Sequence, residues 1–351
     1  LHAFSPAYFL QRQGSDCRLF SYSRAFAAAS RVLADSANRP RVEPFLLEPL
    51  TNREPCPRNV ALRELQRFYR NPSQVFLEKS LEFRLPEDNE LLLDEEPFTL
   101  DALAAFQCKQ EALECGIAGR PASSLLATWK GSGRLPPGPA GDLVGNALLA
   151  EADSVLSRAR QRMGTARLAN QPFALDVGSH TIEGQLTCFS GVGLVHYRAA
   201  RVDRRKKAAA HLRIWIEHLI LQVIGAPAER RSWLVGEDET WVFNEVPEAM
   251  EILRQLAGFY ERGLAAPLPF FPQTAFAYRI KPERGRKAPE DLANEAWEGN
   301  EDDEFQRGEK EDPYFNLCFR KDPDPLGPEF RNLAEKVVDP ILSHQDREER
   351  R

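Results

Sequence analysis

Bulk positive charge is missing from this chain. Over 351 residues, 46 Lys and Arg are set against 52 Asp and Glu, a formal net charge of -6. No global electrostatic footprint for nucleic acid exists, so any DNA contact has to come from a local basic patch. Paired cysteines are missing as well. The six lie scattered at Cys17, Cys56, Cys108, Cys115, Cys188 and Cys318, with no Cys-x-x-Cys and no histidine at zinc-finger spacing. That pattern argues against a zinc site or a disulfide framework and fits a reducing, cytoplasmic setting. No apolar run approaches the roughly 18 residues that a membrane span needs. No signal peptide is visible, and the first residues are Leu-His rather than Met. The sequence therefore reads as a fragment of a longer polypeptide whose N-terminus is a domain cut. No repeat period is apparent. The remaining composition, 42% apolar and 28% charged, is that of an ordinary soluble globular protein, long enough for one large or two modest domains.

Three stretches follow from the local patterns. Residues 1–57 hold "FSPAYF", "RLFSYS", a short helix in "SRAFAAASRVLA" and a Pro-rich connection, and read as an arm lying on this domain or on a partner. Residues 58–140 read as a helical subdomain. Leu62, Leu65, Phe68 and Tyr69 form one stripe, Asn71-Pro72 interrupts it, and Val75, Phe76 and Leu81 resume it. Another helix runs through "TLDALAAFQCKQEALECGI", with Thr99 as its cap and Leu100, Leu103, Phe106, Cys108 and Leu113 as its apolar face. Residues 141–351 read as an α/β domain with these parts: a long helix after "GRLPPGPAGD", a hairpin from about 173 to 197, a helix at 206–224, a second hairpin in "SWLVGEDETWVFNEV", a helix in "EAMEILRQLAGFYERGL", a charge-dense exposed loop at about 281–313, a buried strand in "YFNLCF", and a last helix in "PEFRNLAEKVVDPIL". This order suits a mixed α/β or α+β domain and not a Rossmann chain.

The chemistry question sits in "IEGQLTCFSGVGLVHYRAARVD", residues 182–203. Metal-dependent nucleases hold Mg²⁺ with carboxylates on adjacent strands and orient the attacking water with a cation. The stretches Gly141-Asp-Leu-Val-Gly145, Gly184-Gln-Leu-Thr187, His196-Tyr197-Arg198 and His211-Leu-Arg-Ile-Trp215 resemble, in spacing, the nuclease domains of RecB-like and AddB-like proteins in the PD-(D/E)XK superfamily. The resemblance implies a restriction-endonuclease-like core, a mixed sheet flanked by helices, with its key positions changed: Gly145 for His, Thr187 for Asp, His196 for Asp, Arg198 for Lys and His211 for Gln. Thr187 is a poor Mg²⁺ ligand, His196 adds no negative charge, and Arg198 cannot give up its proton. The expectation is a non-catalytic frame with no metal. Asp176, Glu183, Asp203 and Glu217 are the nearby carboxylates from which a migrated site would be rebuilt.

"RFYRNPSQVFLEKSLEFRLPED", "LPPGPAGD", "LPFFPQTAFAY" and "GEKEDPYFNLCFR", taken with the first two aromatic motifs and in this order, resemble the C-terminal region of the RecC family, the gamma chain of exodeoxyribonuclease V (RecBCD). The match runs over nearly the whole chain. It implies a domain that guides separated single strands or a duplex end and docks RecB and RecD, with ATP and Mg²⁺ belonging only to those partner subunits and no cofactor in this fragment. It places the chain in DNA repair by homologous recombination.

Arg198, Arg201, Arg204, Arg205, Lys206 and Lys207 form the one dense cationic run, opposed only by Asp203. It reads either as a track for a phosphate backbone or as a solvated loop and docking surface. Lys206 and Lys207 at a helix start oppose the helix dipole, which favours a functional reason. Trp215 reads as core, Trp233 and Trp241 as cross-strand packing, and His196 with His211 as satisfied histidines or a remnant metal pair. Two other functional classes stay open: an active nuclease with migrated carboxylates, and a pure docking module.

Overall fold

The computed structural model describes residues 5, 8–9, 20–34, 45–46, 48–50, 58–86, 100–189, 191–225, 230–280, 287–299 and 307–348. The chain divides into two compact units, residues 1–47 and 48–351. In the first, helix α1 (Arg24–Ala34) starts where Ser23 Oγ accepts from the N–H of Phe26 at 3.3 Å. Phe20 and Tyr22 meet edge-on at 5.5 Å and stay exposed. Half of "FSPAYF" and most of the Pro-rich connection lie outside the described residues.

The second unit opens with strand β1 (Asn59–Ala61), which runs directly into α2 (Leu62–Arg70). Asn71 separates α2 from α3 (Pro72–Ser80). Its side chain accepts from Gln74 N at 2.9 Å, and Pro72 follows at the first helical position, where the ring costs no hydrogen bond. The expected stripe is buried, and Phe68 stacks edge-on against Tyr260 at 5.2 Å. Leu81 is exposed instead, because α3 ends there. In α4 (Ala102–Ile117) the cap is Asp101, which accepts from Ala104 N at 2.6 Å; Thr99 lies outside the described residues. Its buried face is Cys108, Ala112, Leu113 and Cys115, with Leu103 exposed. The face is set by close packing on α6 (Pro139–Met163): a Cβ on Gly116 would stand 2.3 Å from Leu156 Cδ2. Between them lies α5 (Ser124–Gly131), whose buried Trp129 donates to Glu111 at 2.9 Å.

Two sheets follow. In the first, β2 (Leu168–Asp176) and β3 (Thr181–Phe189) form an antiparallel hairpin, and β1 lies parallel to β3 on its other edge. The second has the order β4 (Leu194–Tyr197), β5 (Ser232–Val235), β6 (Thr240–Phe243), β7 (Gln345–Arg347). The hairpin expected from about 173 to 197 therefore forms between β2 and β3, at 168–189, and does not include β4. A single bridge, Phe189 to Gly193, closes the turn. Gly191 and Gly193, both at positive φ, then let the chain swing away, and β4 pairs in parallel with β5. The crossover from β4 to β5 is α7 (Ala208–Ile224), which packs on α2 and α8 and is buried over most of its length. The hairpin of β5 and β6 forms as expected, but Trp233 pairs with Val242 and Leu234 with Trp241. The two tryptophans thus point to opposite faces and do not pack on each other. Trp233 joins Val155, Ala159 and Val195 in the core under α6, and Trp241 meets the His211 ring at 5.6 Å on the α7 side.

The remaining helices are α8 (Ala249–Ala265), α9 (Pro272–Arg279), α10 (Pro289–Glu298), α11 (Pro313–Phe319) and α12 (Pro328–His344). Two of them replace expectations. Within the charge-dense stretch at 281–313, α10 forms because Pro289 opens it, Glu290 and Asp291 suit its first turn, and Ala293 and Trp297 bury one stripe; residues 281–286 and 300–306 lie outside the described ones. "YFNLCF" is helical and not a strand. Asp312 caps it by accepting from Tyr314 N at 2.9 Å and Phe315 N at 3.1 Å, and Phe315, Cys318 and Phe319 bury at helical spacing. No described helix is long and apolar enough to cross a membrane.

Candidate nucleic-acid interface

The five positions singled out by spacing do not meet in one place. Gly145 is a packing residue: a Cβ there would stand 2.2 Å from Leu126 Cδ1 and 2.9 Å from Leu135 Cδ1, so α6 leaves no room for a larger side chain. Thr187 is exposed on β3 and donates to Asn170, its partner on β2, at 3.2 Å. His196 Nε2 lies 2.7 Å from Glu217 Oε2 on α7. Burial acts to raise the Glu217 carboxyl but is outweighed by His196, Gln66 and Arg213, which hold it below the usual carboxylate range. Gln66 Nε2 donates to its second oxygen at 2.7 Å. Burial and the Glu217 carboxylate together push the neighbouring Cys188 thiol up to about 11. Cys188 and His196 thus share the α7 face. Thr187, one residue before Cys188, points through the sheet to the other face. His211 is fully buried. Its Nε2 lies 2.7 Å from Val202 O and its Nδ1 2.6 Å from Gln345 Nε2. These partners assign a single neutral tautomer, donating from Nε2 and accepting at Nδ1. Burial depresses its pKa to about 4. Both ring nitrogens are engaged, so His211 and His196 do not form a metal pair.

The four carboxylates are dispersed too. Asp176 lies 3.7 Å from Arg58 and accepts from Gly178 N. Glu183 accepts from Asn59 Nδ2 at 3.2 Å. Asp203 accepts from the backbone N–H groups of Arg205 and Lys206. Glu217 is occupied as described. Among the described residues, no three His, Cys, Asp or Glu side chains are grouped to hold a metal ion.

The basic run divides by contact. Arg204 lies over the Trp241 ring at 4.1 Å, and burial lowers its pKa against the pull of Glu239. It is packed into the protein rather than offered to solvent. Arg198 lies 5.1 Å from the Phe106 ring and remains exposed. Arg201, Lys206 and Lys207 are exposed and Arg205 is half-buried. Arg198, Lys206 and Lys207 line a cavity of about 620 Å³, which also receives Arg70 from the end of α2 and Arg307 from the turn before α11. Those two arginines were not legible as site residues, since nothing in their neighbourhoods links them to the run. Trp215 is buried in the core, as expected.

This arrangement defines a mixed α/β domain with a basic cavity beside its crossover helix. Residues 57–281 match the model of the RecC C-terminal domain. The chain is 26% identical over 262 residues to the RecBCD enzyme subunit RecC of Escherichia coli (strain K12), covering 74% of this chain and 22% of that protein. It is 28% identical over 273 residues to the subunit of the same name from Mycolicibacterium smegmatis, covering 74% and 24%. It is 27% identical over 304 residues to that of Mycobacterium tuberculosis (strain H37Rv), covering 82% and 26%. The chain belongs to the RecC C-terminal domain family, and it spans about a quarter of the length of these relatives.

Proposed function

We propose that this chain is a non-catalytic structural and DNA-guiding domain of a RecBCD-type helicase–nuclease. In this reading it docks on RecB and RecD and leads strands that the partner motors have already separated, in double-strand-break repair by homologous recombination. ATP and Mg²⁺ act in the partner subunits. The frame is a PD-(D/E)XK (restriction-endonuclease-like) core, supported by the order α6, β2, β3, β4, α7, β5 with β4 and β5 parallel across a helical crossover.

One observation carries the non-catalytic reading. Thr187 is exposed on β3 of the first sheet beside Asn170, while His196 on β4 of the second sheet turns to Glu217 on α7, so the places where a nuclease needs two converging acids diverge. The full chain is expected not to cut single-stranded or duplex DNA with Mg²⁺ or Mn²⁺. The double change Thr187→Asp, His196→Asp is expected not to restore cleavage, because neither carboxylate would face the other. Cleavage by the unaltered chain that disappears in Glu183→Gln, Asp203→Asn or Glu217→Gln would install the migrated-carboxylate nuclease in its place. The docking-module reading draws on the exposed Phe20 and Tyr22. It would prevail if the chain showed no salt-dependent affinity for single-stranded DNA while still assembling with partner subunits.

A further inference from the structure

We propose that the cavity at the N-terminal end of α7 seats backbone phosphates of a single DNA strand, about one or two nucleotides at a time. The proposal rests on the strand-guiding reading and names the place where the strand is held. Its cations converge from separate stretches: Arg70 at the end of α2, Arg198 after β4, Lys206 and Lys207 before α7, and Arg307 before α11. All five are exposed, and none forms an ion pair with a described residue. Two carboxylates also border the cavity, but both are committed to backbone. Glu309 accepts from Gln273 N at 3.0 Å and Thr274 N at 2.7 Å, capping α9. Enclosure raises its carboxyl to about 7, although the residue as a whole is only partly buried. Asp312 caps α11 and accepts from Asn71 Nδ2 at 3.0 Å.

The first turn of α7 points the same way. No side chain caps it, Ala208 to Ala210 line the cavity, and the N–H groups of Ala208 and Ala209 have no acceptor among the described residues. Lysines beside the positive end of a 17-residue helix are an electrostatic conflict. A phosphate relieves it by taking hydrogen bonds from the free N–H groups and charge from the side chains. The half-buried ring of Tyr314 on the cavity wall supplies a stacking face for a base, which a site for bare phosphate does not need. A cavity of about 620 Å³ also lies in the usual range for small-molecule sites and exceeds what a lone phosphate fills.

The test is fluorescence anisotropy of a labelled oligothymidylate titrated with the full chain at about 50 to 200 mM NaCl. Each lost phosphate contact should lower the salt slope by about 0.7 and the affinity by about five-fold at 0.1 M salt. The triple change Arg70→Gln, Lys207→Gln, Arg307→Gln should therefore cost about a hundred-fold and about two units of slope. Ala209→Asp separates binding from folding. An acid in the first turn suits the helix dipole, so the melting temperature should hold or rise while oligonucleotide affinity falls. Arg201→Gln, an exposed cation outside the cavity, should leave binding close to wild type. If the triple variant and Ala209→Asp bind like wild type while Arg201→Gln weakens binding, the strand runs elsewhere; the cavity proposal fails and the strand-guiding reading stands. If the unaltered chain shows no salt-dependent binding at the low-salt end, the strand-guiding reading fails and takes the cavity with it. Displacement of the oligonucleotide by dTMP or pyrophosphate at equal phosphate concentration would make this a pocket for a free nucleotide or anion and overturn the assignment to a strand.

Discussion

Replacing His211 with Gln should remove one proton from the acid sensitivity of folding. His211 and His218 are both buried with pKa values near 4, against 6.5 for the unperturbed ring, burial being the main cause in each. His218 bonds Ser232 Oγ and Asn244 O, both at 2.8 Å. Between pH 6.5 and 4 the unfolded chain protonates these rings and the folded chain does not. Their contribution to stability is therefore complete above pH 6.5 and is lost as pH falls toward 4. Glu309 acts in the opposite sense. Its folded carboxyl holds a proton up to about pH 7, while the unfolded one releases it near 4.5. Its contribution is present in acid and is lost as pH rises through 7. Each proton corresponds to about 1.4 kcal/mol per pH unit. From pH 6.5 to 5, two histidines against one carboxyl leave the wild type losing stability at about one proton's worth per unit, His211→Gln close to level, and Glu309→Gln losing it about twice as steeply as the wild type. The assay is urea unfolding followed by tryptophan fluorescence at several pH values. All five tryptophans lie at or beyond Trp129, so the signal comes from the second unit alone. A His211→Gln profile parallel to wild type would refute the neutral, buried ring.

Gly145→His, which installs the residue of the nuclease pattern, should drive a ring into Leu126 and Leu135 and cost about 1–3 kcal/mol or more, read as a lower melting temperature. Trp241→Ala should remove the ring under Arg204 and beside His211, costing about 3–5 kcal/mol in chemical denaturation. The Cys188 and Cys318 thiols, pushed up to about 11 and about 12 mainly by burial, should escape maleimide in the native chain at about pH 8 and react once it is unfolded, as read by peptide mass mapping.

Helices that bury a broad apolar stripe were legible from spacing alone. Leu62, Leu65, Phe68 and Tyr69 made α2 visible, and Asn71-Pro72 marked the break before α3. What escaped had a different cause in each case. The three-residue strands β1 and β7 are too short to show a period, and each exists only because a distant strand offers an edge. "YFNLCF" alternates well enough to pass for a strand; the Asp-Pro before it was the overlooked signal for a capped helix. The candidate site failed on phase. Thr187 and His196 were placed together by spacing across a hairpin expected at about 173–197, whereas β4 leaves for a second sheet after a single bridge. The basic run was visible as composition. Its division was not, since Arg204 is withdrawn by a ring on another strand.

The bond from Gln345 to His211 has a consequence in time. It joins residues 134 positions apart and completes the hydrogen bonding of a ring in the first turn of the crossover helix. At about 5–20 residues per second of synthesis, roughly 7–27 s separate the appearance of the two partners. Throughout that interval α7 carries a buried ring with one nitrogen unmatched, and β6 has an open edge where β7 will pair. Until residues 345–347 emerge the sheet ends at β6, and an unpaired strand edge of that kind is a template for pairing with another chain.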